Sequence, residues 1–253
     1  MKSSSTPVMT CRAMTRRRWL AASAAASLAA YLAPLRSLAG SAPARVLLLG
    51  DSMIAGALGL YLERNLRDQH QYVVHRHGKS STGLARPDFY NWETQGRAQV
   101  EEFRPDAVVT MFGGNDGQGL HMGRKAEPQW IRWNEPQWEE EYSRRMRAFC
   151  DAVAPPERAL LWIGMPVVRP KKMHDRMQVI NRIYQEVLAG RGPKARFLET
   201  WSVLANPAGE YVDRIAISGK RTLVRAGDGV HLTRRGARHL ADHLTPQIVG
   251  SLA

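Results

Sequence analysis

The chain has 253 residues, 44% of them hydrophobic and 23% charged, which is enough for one domain with a substantial core and demands neither disorder nor a fibrous fold. Its formal charge is +13, yet no dense basic block or nucleic-acid module accompanies the excess, so DNA or RNA is not expected as a partner. Two cysteines and the lack of a His-Glu-x-x-His spacing exclude the usual zinc motifs, and no metal site is expected.

The first element reads as an export segment. Arg16, Arg17 and Arg18 precede Trp19 and Leu20, then an Ala-rich, weakly apolar run to Leu35, then small residues at Ser37 and Ala39. This is similar to a twin-arginine export signal over residues 1–39, which leaves 40–253 as the working domain and the periplasm as its expected location. The competing reading is an uncleaved membrane anchor. The run is short and rich in Ala and Ser, however, whereas a bilayer span needs about 20 strongly apolar residues. Membrane contact is therefore expected only through the signal. The segment holds six cations and no acids, so its removal lowers the charge from +13 to +7, a balance suited to an anionic polymer or envelope surface. It also takes Cys11, leaving Cys150 as a single thiol that cannot form an internal disulfide.

Beyond the signal, apolar branched runs recur at 45–49, 72–74, 107–112 and 159–163, with a shorter one at 196–198. Between them, helical spacing predicts helices over 54–67, 95–103, 138–153 and 173–188, and a last helix over 233–249 with Thr233 as N-cap. In the first of these, Ile54, Leu58, Leu62 and Leu66 recur every four residues. Strands alternating with helices predict an α/β parallel sheet. Residues 117–137 and 206–227 break the alternation and read as long loops or small inserted hairpins, the kind of segment that walls a binding site. The first carries Trp130 and Trp133 and ends at Trp138. These rings are read either as an aromatic platform for substrate or as a cover for the sheet.

Three short segments carry the chemistry. The first apolar run passes straight into Gly50-Asp51-Ser52 and then a helix, which places Ser52 at the carboxyl edge of a strand, where parallel sheets open into a crevice. The third run ends in Gly113-Gly114-Asn115-Asp116, a turn from which an Asn amide can donate into the same crevice. Asp228-Gly229-Val230-His231 precedes the last helix and can supply both a base for a serine and the carboxylate that orients that base. Each alone is an ordinary feature: an N-cap serine, an Asx-Gly turn, a surface histidine. Together they occur in the order Ser, Asn, Asp-His, each where a strand gives way to a loop or helix.

That combination resembles the SGNH (GDSL-like) hydrolase superfamily, with Gly50-Asp51-Ser52-Met53, Gly78, Gly114-Asn115-Asp116 and Asp228-x-x-His231 matching its four blocks from about residue 44 to the end. The stretch 80–89 is further similar to an exported bacterial branch of largely unassigned substrate. The resemblance implies a flavodoxin-like three-layer sandwich with about five parallel strands. It implies Ser52 as nucleophile, His231 as general base and acid, and Asp228 as the group that orients it. The oxyanion donors would be the Ser52 and Gly78 backbone N–H groups and the Asn115 amide, with Gly83 competing for the place of Gly78. Asp51 and Asp116 are assigned to scaffolding. No metal or organic cofactor is implied. The expected activity is removal of a small acyl group, such as acetyl, from a cell-envelope glycan, with Trp130 and Trp133 in substrate binding. An acyltransferase with the same triad, a lipase or thioesterase, and a non-catalytic glycan-binding protein are the alternatives, and the oligomeric state is left open.

Overall fold

The computed structural model describes residues 42–252. The expected export segment and Cys11 lie outside the described residues. Five parallel strands form the central sheet: β1 (Arg45–Gly50), β2 (Val73–Gly78), β3 (Ala107–Met111), β6 (Ala159–Ile163) and β7 (Ala195–Leu198). Their order is β2-β1-β3-β6-β7. β3 and β6 are buried along their whole length, as strands covered on both faces must be, which is why they read as unbroken apolar runs. β2 lies at the edge, alternating exposed and half-buried residues over 73–76 and half-buried to its end.

The helices are α1 (Ser52–Ala55), α2 (Ala57–His70), α3 (Trp92–Phe103), α4 (Gln137–Val153), α5 (Lys171–Ala189) and α6 (Arg234–Val249). They form a layer on each face of the sheet, giving the three-layer α/β sandwich. The helix expected over 54–67 is two helices. Gly56 takes an extended conformation (φ −90°, ψ −151°) that ends α1 and starts α2. Elsewhere the caps follow sequence logic: the Asn91 side chain accepts the Thr94 N–H (3.1 Å) and the Thr233 hydroxyl accepts the Gly236 N–H (3.1 Å). The inserted segments each hold a hairpin, β4 (Leu120–His121) with β5 (Trp130–Ile131), and β8 (Arg214–Ile217) with β9 (Lys220–Leu223).

Two features of this fold place the site. The chain leaves β1 toward β2 on one side and returns as β3 on the other, so the topological switch lies between β1 and β3, where ligands enter such sheets. Gly50 pairs with Met111 there, and the Asp51 N–H donates to the Met111 carbonyl (3.2 Å), so the Ser52 turn and the 112–116 turn emerge side by side. The second feature is the clamp between α2 and α6. Asn65 donates to Asp242 (2.9 Å) and to Thr245 (3.2 Å), fixing the last helix, and the loop before it, against the helix that follows Ser52.

Candidate active site

Ser52 opens α1 directly after β1, with Asp51 as N-cap accepting the Met53 N–H (3.0 Å). The first N–H groups of a helix have no intrahelical acceptor, so the Ser52 N–H is available to a ligand. The Ser52 Oγ lies 2.9 Å from His231 Nε2, and His231 Nδ1 lies 2.7 Å from Asp228 Oδ2. A carboxylate facing Nδ1 keeps the hydrogen on that nitrogen and leaves Nε2 to accept the serine proton. Asp228 Oδ1 also accepts the N–H groups of Val230 (2.8 Å) and His231 (2.9 Å). The His231 hydrogen bond, helped by these two donors, holds the Asp228 carboxyl down at about 2.

The Asp228 loop is fastened by residues that sequence reading missed. Gly229 has φ +73°, and a Cβ there would stand 2.5 Å from the Arg169 Cβ, so only glycine suits the turn. The Arg169 N–H donates to the Gly229 carbonyl (3.0 Å) and its guanidinium to the Gly227 carbonyl. Arg225 is only 1% exposed and donates to the carbonyls of Val230 (3.3 Å) and Val167, tying the loop of Asp228 and His231 to the segment after β6. Burial lowers its pKa to about 10, still charged at neutral pH. An arginine three residues before an Asp-x-x-His carries no sequence signal of burial, because arginines are ordinarily surface residues.

Ser52, His231 and Asn115 share a cavity of about 290 Å³, walled by Met53, Met165, Met173 and Val230. Asn115 Nδ2 donates one hydrogen to the Thr82 carbonyl (2.9 Å), which fixes the amide and leaves its second N–H free to serve the cavity. Thr82 is itself braced: its hydroxyl donates to the Lys79 carbonyl and accepts the Trp92 indole N–H (2.9 Å).

Gly78 is not brought to this cavity. A Cβ on Gly78 would stand 2.3 Å from the Ala55 nitrogen, so the glycine is there to let β2 pack on α1. Its competitor Gly83 packs against Asp116, where a Cβ would lie 2.1 Å from Oδ1. Ser80 and Ser81 face the cavity instead, Ser81 with the left-handed φ of +63° that turns the backbone at this point. In sequence a glycine needed for packing is indistinguishable from one needed for an open N–H.

Asp51 and Asp116 sit beneath these turns. Asp116 accepts the Ala85 N–H (2.9 Å) and the Tyr142 hydroxyl (2.8 Å), and Tyr142 in turn lies 2.8 Å from the Tyr184 hydroxyl. Asp51 Oδ2 has no partner, and burial pushes its carboxyl up to about 7.

The two tryptophans part company. Trp130 stacks edge-on with His121 (4.8 Å) beneath the Arg86 guanidinium (5.0 Å), while Trp133 packs on the buried Trp138 (4.1 Å) with Arg176 over its ring (4.9 Å). Neither lines the Ser52 cavity, so they form no common platform there; Trp133 instead borders a neighbouring groove. A further cavity of about 170 Å³ lies beside Trp92 and Arg145. It holds no serine or cysteine, and Glu141 pairs with both Arg144 and Arg145 there. Among the described residues no group of three or more His, Cys, Asp or Glu is arranged to hold a metal ion, and no helix is long and apolar enough to cross a membrane.

Comparison with known proteins agrees with this architecture. A family described as "Protein of unknown function (DUF459)" matches residues 45–247. No curated protein matches the sequence. Among solved structures, the chain is similar to a GDSL-like lipase from Bacteroides thetaiotaomicron (16% identity, 82% of this chain and 88% of that one, TM-score 0.54). It is also similar to a member of the lipolytic G-D-S-L family from Veillonella parvula (13%, 81% and 98%, 0.56). A third is an acetyl xylan esterase from Geobacillus stearothermophilus (17%, 81% and 94%, 0.53). The fold is that of the SGNH hydrolases.

Proposed function

We propose that this chain, which belongs to the DUF459 family, is an exported serine esterase that removes a small acyl group, such as acetyl, from a cell-envelope glycan. The observation that carries the reading is the unbroken chain from Ser52 Oγ through His231 to Asp228, opening on a cavity that Asn115 also lines. In such a site His231 Nε2 takes the serine proton as Oγ attacks the ester carbonyl. The oxyanion of the tetrahedral intermediate then falls to the Ser52 N–H and the Asn115 amide. Backbone N–H groups of the 80–81 turn replace Gly78 as the further donor in this reading. His231 returns the proton to the departing alcohol, leaving the acyl group on Oγ. Water, deprotonated by the same imidazole, attacks the acyl-enzyme to release the acid and restore the serine.

The cavity volume argues for a small acyl group. About 290 Å³ is at the bottom of the range for small-molecule pockets and leaves little room for a fatty chain. Deacetylation of a glycan is favoured by the acetyl xylan esterase among the structures of like fold and by the expected export signal. The test is intact-mass analysis of the protein mixed with an aryl acetate. An acetyl adduct that vanishes in Ser52→Ala, together with acetate release, is the expected result; turnover that survives Ser52→Ala would discard the reading. For export, replacing Arg16 and Arg17 by Lys is expected to retain the protein in the cytoplasm, because a receptor reads the paired arginines rather than their charge.

A further inference from the structure

We infer that the groove lined by Trp133, Lys171, Lys172 and Arg176 is a subsite for an anionic glycan, so that the ester substrate of the Ser52 site is borne on a negatively charged polysaccharide. This deepens the proposed esterase reading and rests on it.

The groove encloses about 560 Å³, larger than the Ser52 cavity, with Val179 and the Trp133 ring as its apolar surfaces. No residue lines both spaces, but the start of one helix serves each. The start of α5 presents Met173 to the Ser52 cavity, while Lys171, Lys172, Asp175 and Arg176 from the same turns line the groove. On the other side stands the turn that carries Asn115: the Arg176 guanidinium donates to the Gly117 carbonyl, and a Cβ on Gly117 would stand 3.0 Å from the Arg176 Cδ. A polymer lying along the groove therefore passes beside the reacting serine.

Charge selects the polymer. The groove has three cations against one carboxylate, Asp175, which pairs only with Lys171 (3.1 Å). Lys172 makes no ion pair among the described residues and is exposed. Arg176 is held over Trp133 and against Gly117, so its charge is fixed in place rather than spread over rotamers. A neutral glycan would leave this excess without a partner; carboxylate or phosphate groups on the sugar would meet it, and in an open groove such attraction raises local concentration and on-rate. The lysines line the groove and not the Ser52 cavity, so they bind the polymer without touching the reacting atoms.

The experiment separates this from the esterase reading by measuring binding in Ser52→Ala protein, in which no ester chemistry intervenes. Titration calorimetry with polygalacturonate, with phosphomannan and with neutral xylan reads charge preference directly; binding of either anionic polymer but not of xylan is expected, and which of the two binds tells carboxylate from phosphate. Adding Lys171→Glu and Lys172→Glu should weaken that binding about tenfold or more, Lys172→Arg alone should preserve it, and raising salt to about 0.5 M should abolish most of it as screening shortens. Both lysines are exposed, so unchanged melting curves are expected. Equal affinity for xylan and the anionic polymers, or indifference to charge reversal, would overturn the subsite. Loss of aryl acetate turnover in the wild type would instead sink the esterase reading while leaving the binding result intact.

Discussion

Two aspartates flank the contact between Ser52 and His231 in opposite surroundings. Asp51 is buried beneath the serine turn, has one donor, the Met53 N–H, on one oxygen and none on the other, and has its carboxyl raised to about 7. Asp228 lies half exposed on a loop, accepts three hydrogen bonds and has its carboxyl lowered to about 2. The difference teaches that depth and donors act together: burial raises Asp51, as it raises Asp116 even with its two donors, while exposure and three donors let Asp228 keep its charge. The Ser52 side of the site is built from strand ends and packed core. The His231 side is built from a short loop that Arg225 and Arg169 fasten, and of the two it alone maintains a fixed negative charge.

The comparison breaks first at the triad. Ser52→Ala and His231→Ala should each lower kcat/KM for an aryl acetate by about 10⁴-fold or more, and the double variant should be no worse than either, because the two act as one unit. Additive losses would mean that the 2.9 Å contact is not the reacting pair. Next, Asp228→Asn should cost about 10⁴-fold in kcat by allowing the wrong imidazole tautomer. Since Asp228 stays ionised down to about pH 2, the acid limb of the wild-type rate profile should not follow its titration. Asn115→Ala should lower kcat about 10²–10³-fold with a smaller change in KM, the mark of an oxyanion donor; a change in KM alone would make it a ground-state contact. The smallest effect concerns Asp51. A carboxyl raised in the folded state contributes stability that is full below its unfolded pKa, near 4, and is lost as pH rises through about 7. Asp51→Asn keeps the acceptor for the Met53 N–H and removes the buried charge. It should be more stable than wild type by a few kcal/mol at pH 8 in urea unfolding, a gap that closes toward pH 4. A gap independent of pH would show that Asp51 is not the titrating group.

The parts of the molecule that follow period and punctuation were legible in the sequence. β3 and β6 are unbroken apolar runs because both faces are covered, and Thr233 caps α6 as its residue type requires. Ser52, Asn115 and the Asp228–His231 pair were visible because each sits where a strand yields to a turn or helix. What escaped depends on contacts between distant segments. Gly56 splits one expected helix in two; Gly78 serves packing against Ala55; Arg225 is buried by β6's loop, nearly sixty residues away in sequence. The tryptophans show the same limit: composition could not tell that Trp130 would face Arg86 while Trp133 would face Arg176, because the β4–β5 hairpin turns them to different neighbours.

The clamp between Asn65 and the pair Asp242 and Thr245 has a consequence for synthesis. Ser52 and His231 lie 179 residues apart, and the loop that carries His231 is held in place by α6. Contacts of such long sequence separation form late, because the loop they close must be ordered first. A growing chain is therefore expected to present Ser52, the strand ends and most of the cavity well before His231 joins them. Even where its sheet is formed, a chain clipped before α6 is expected to lack the docking that brings His231 to Ser52.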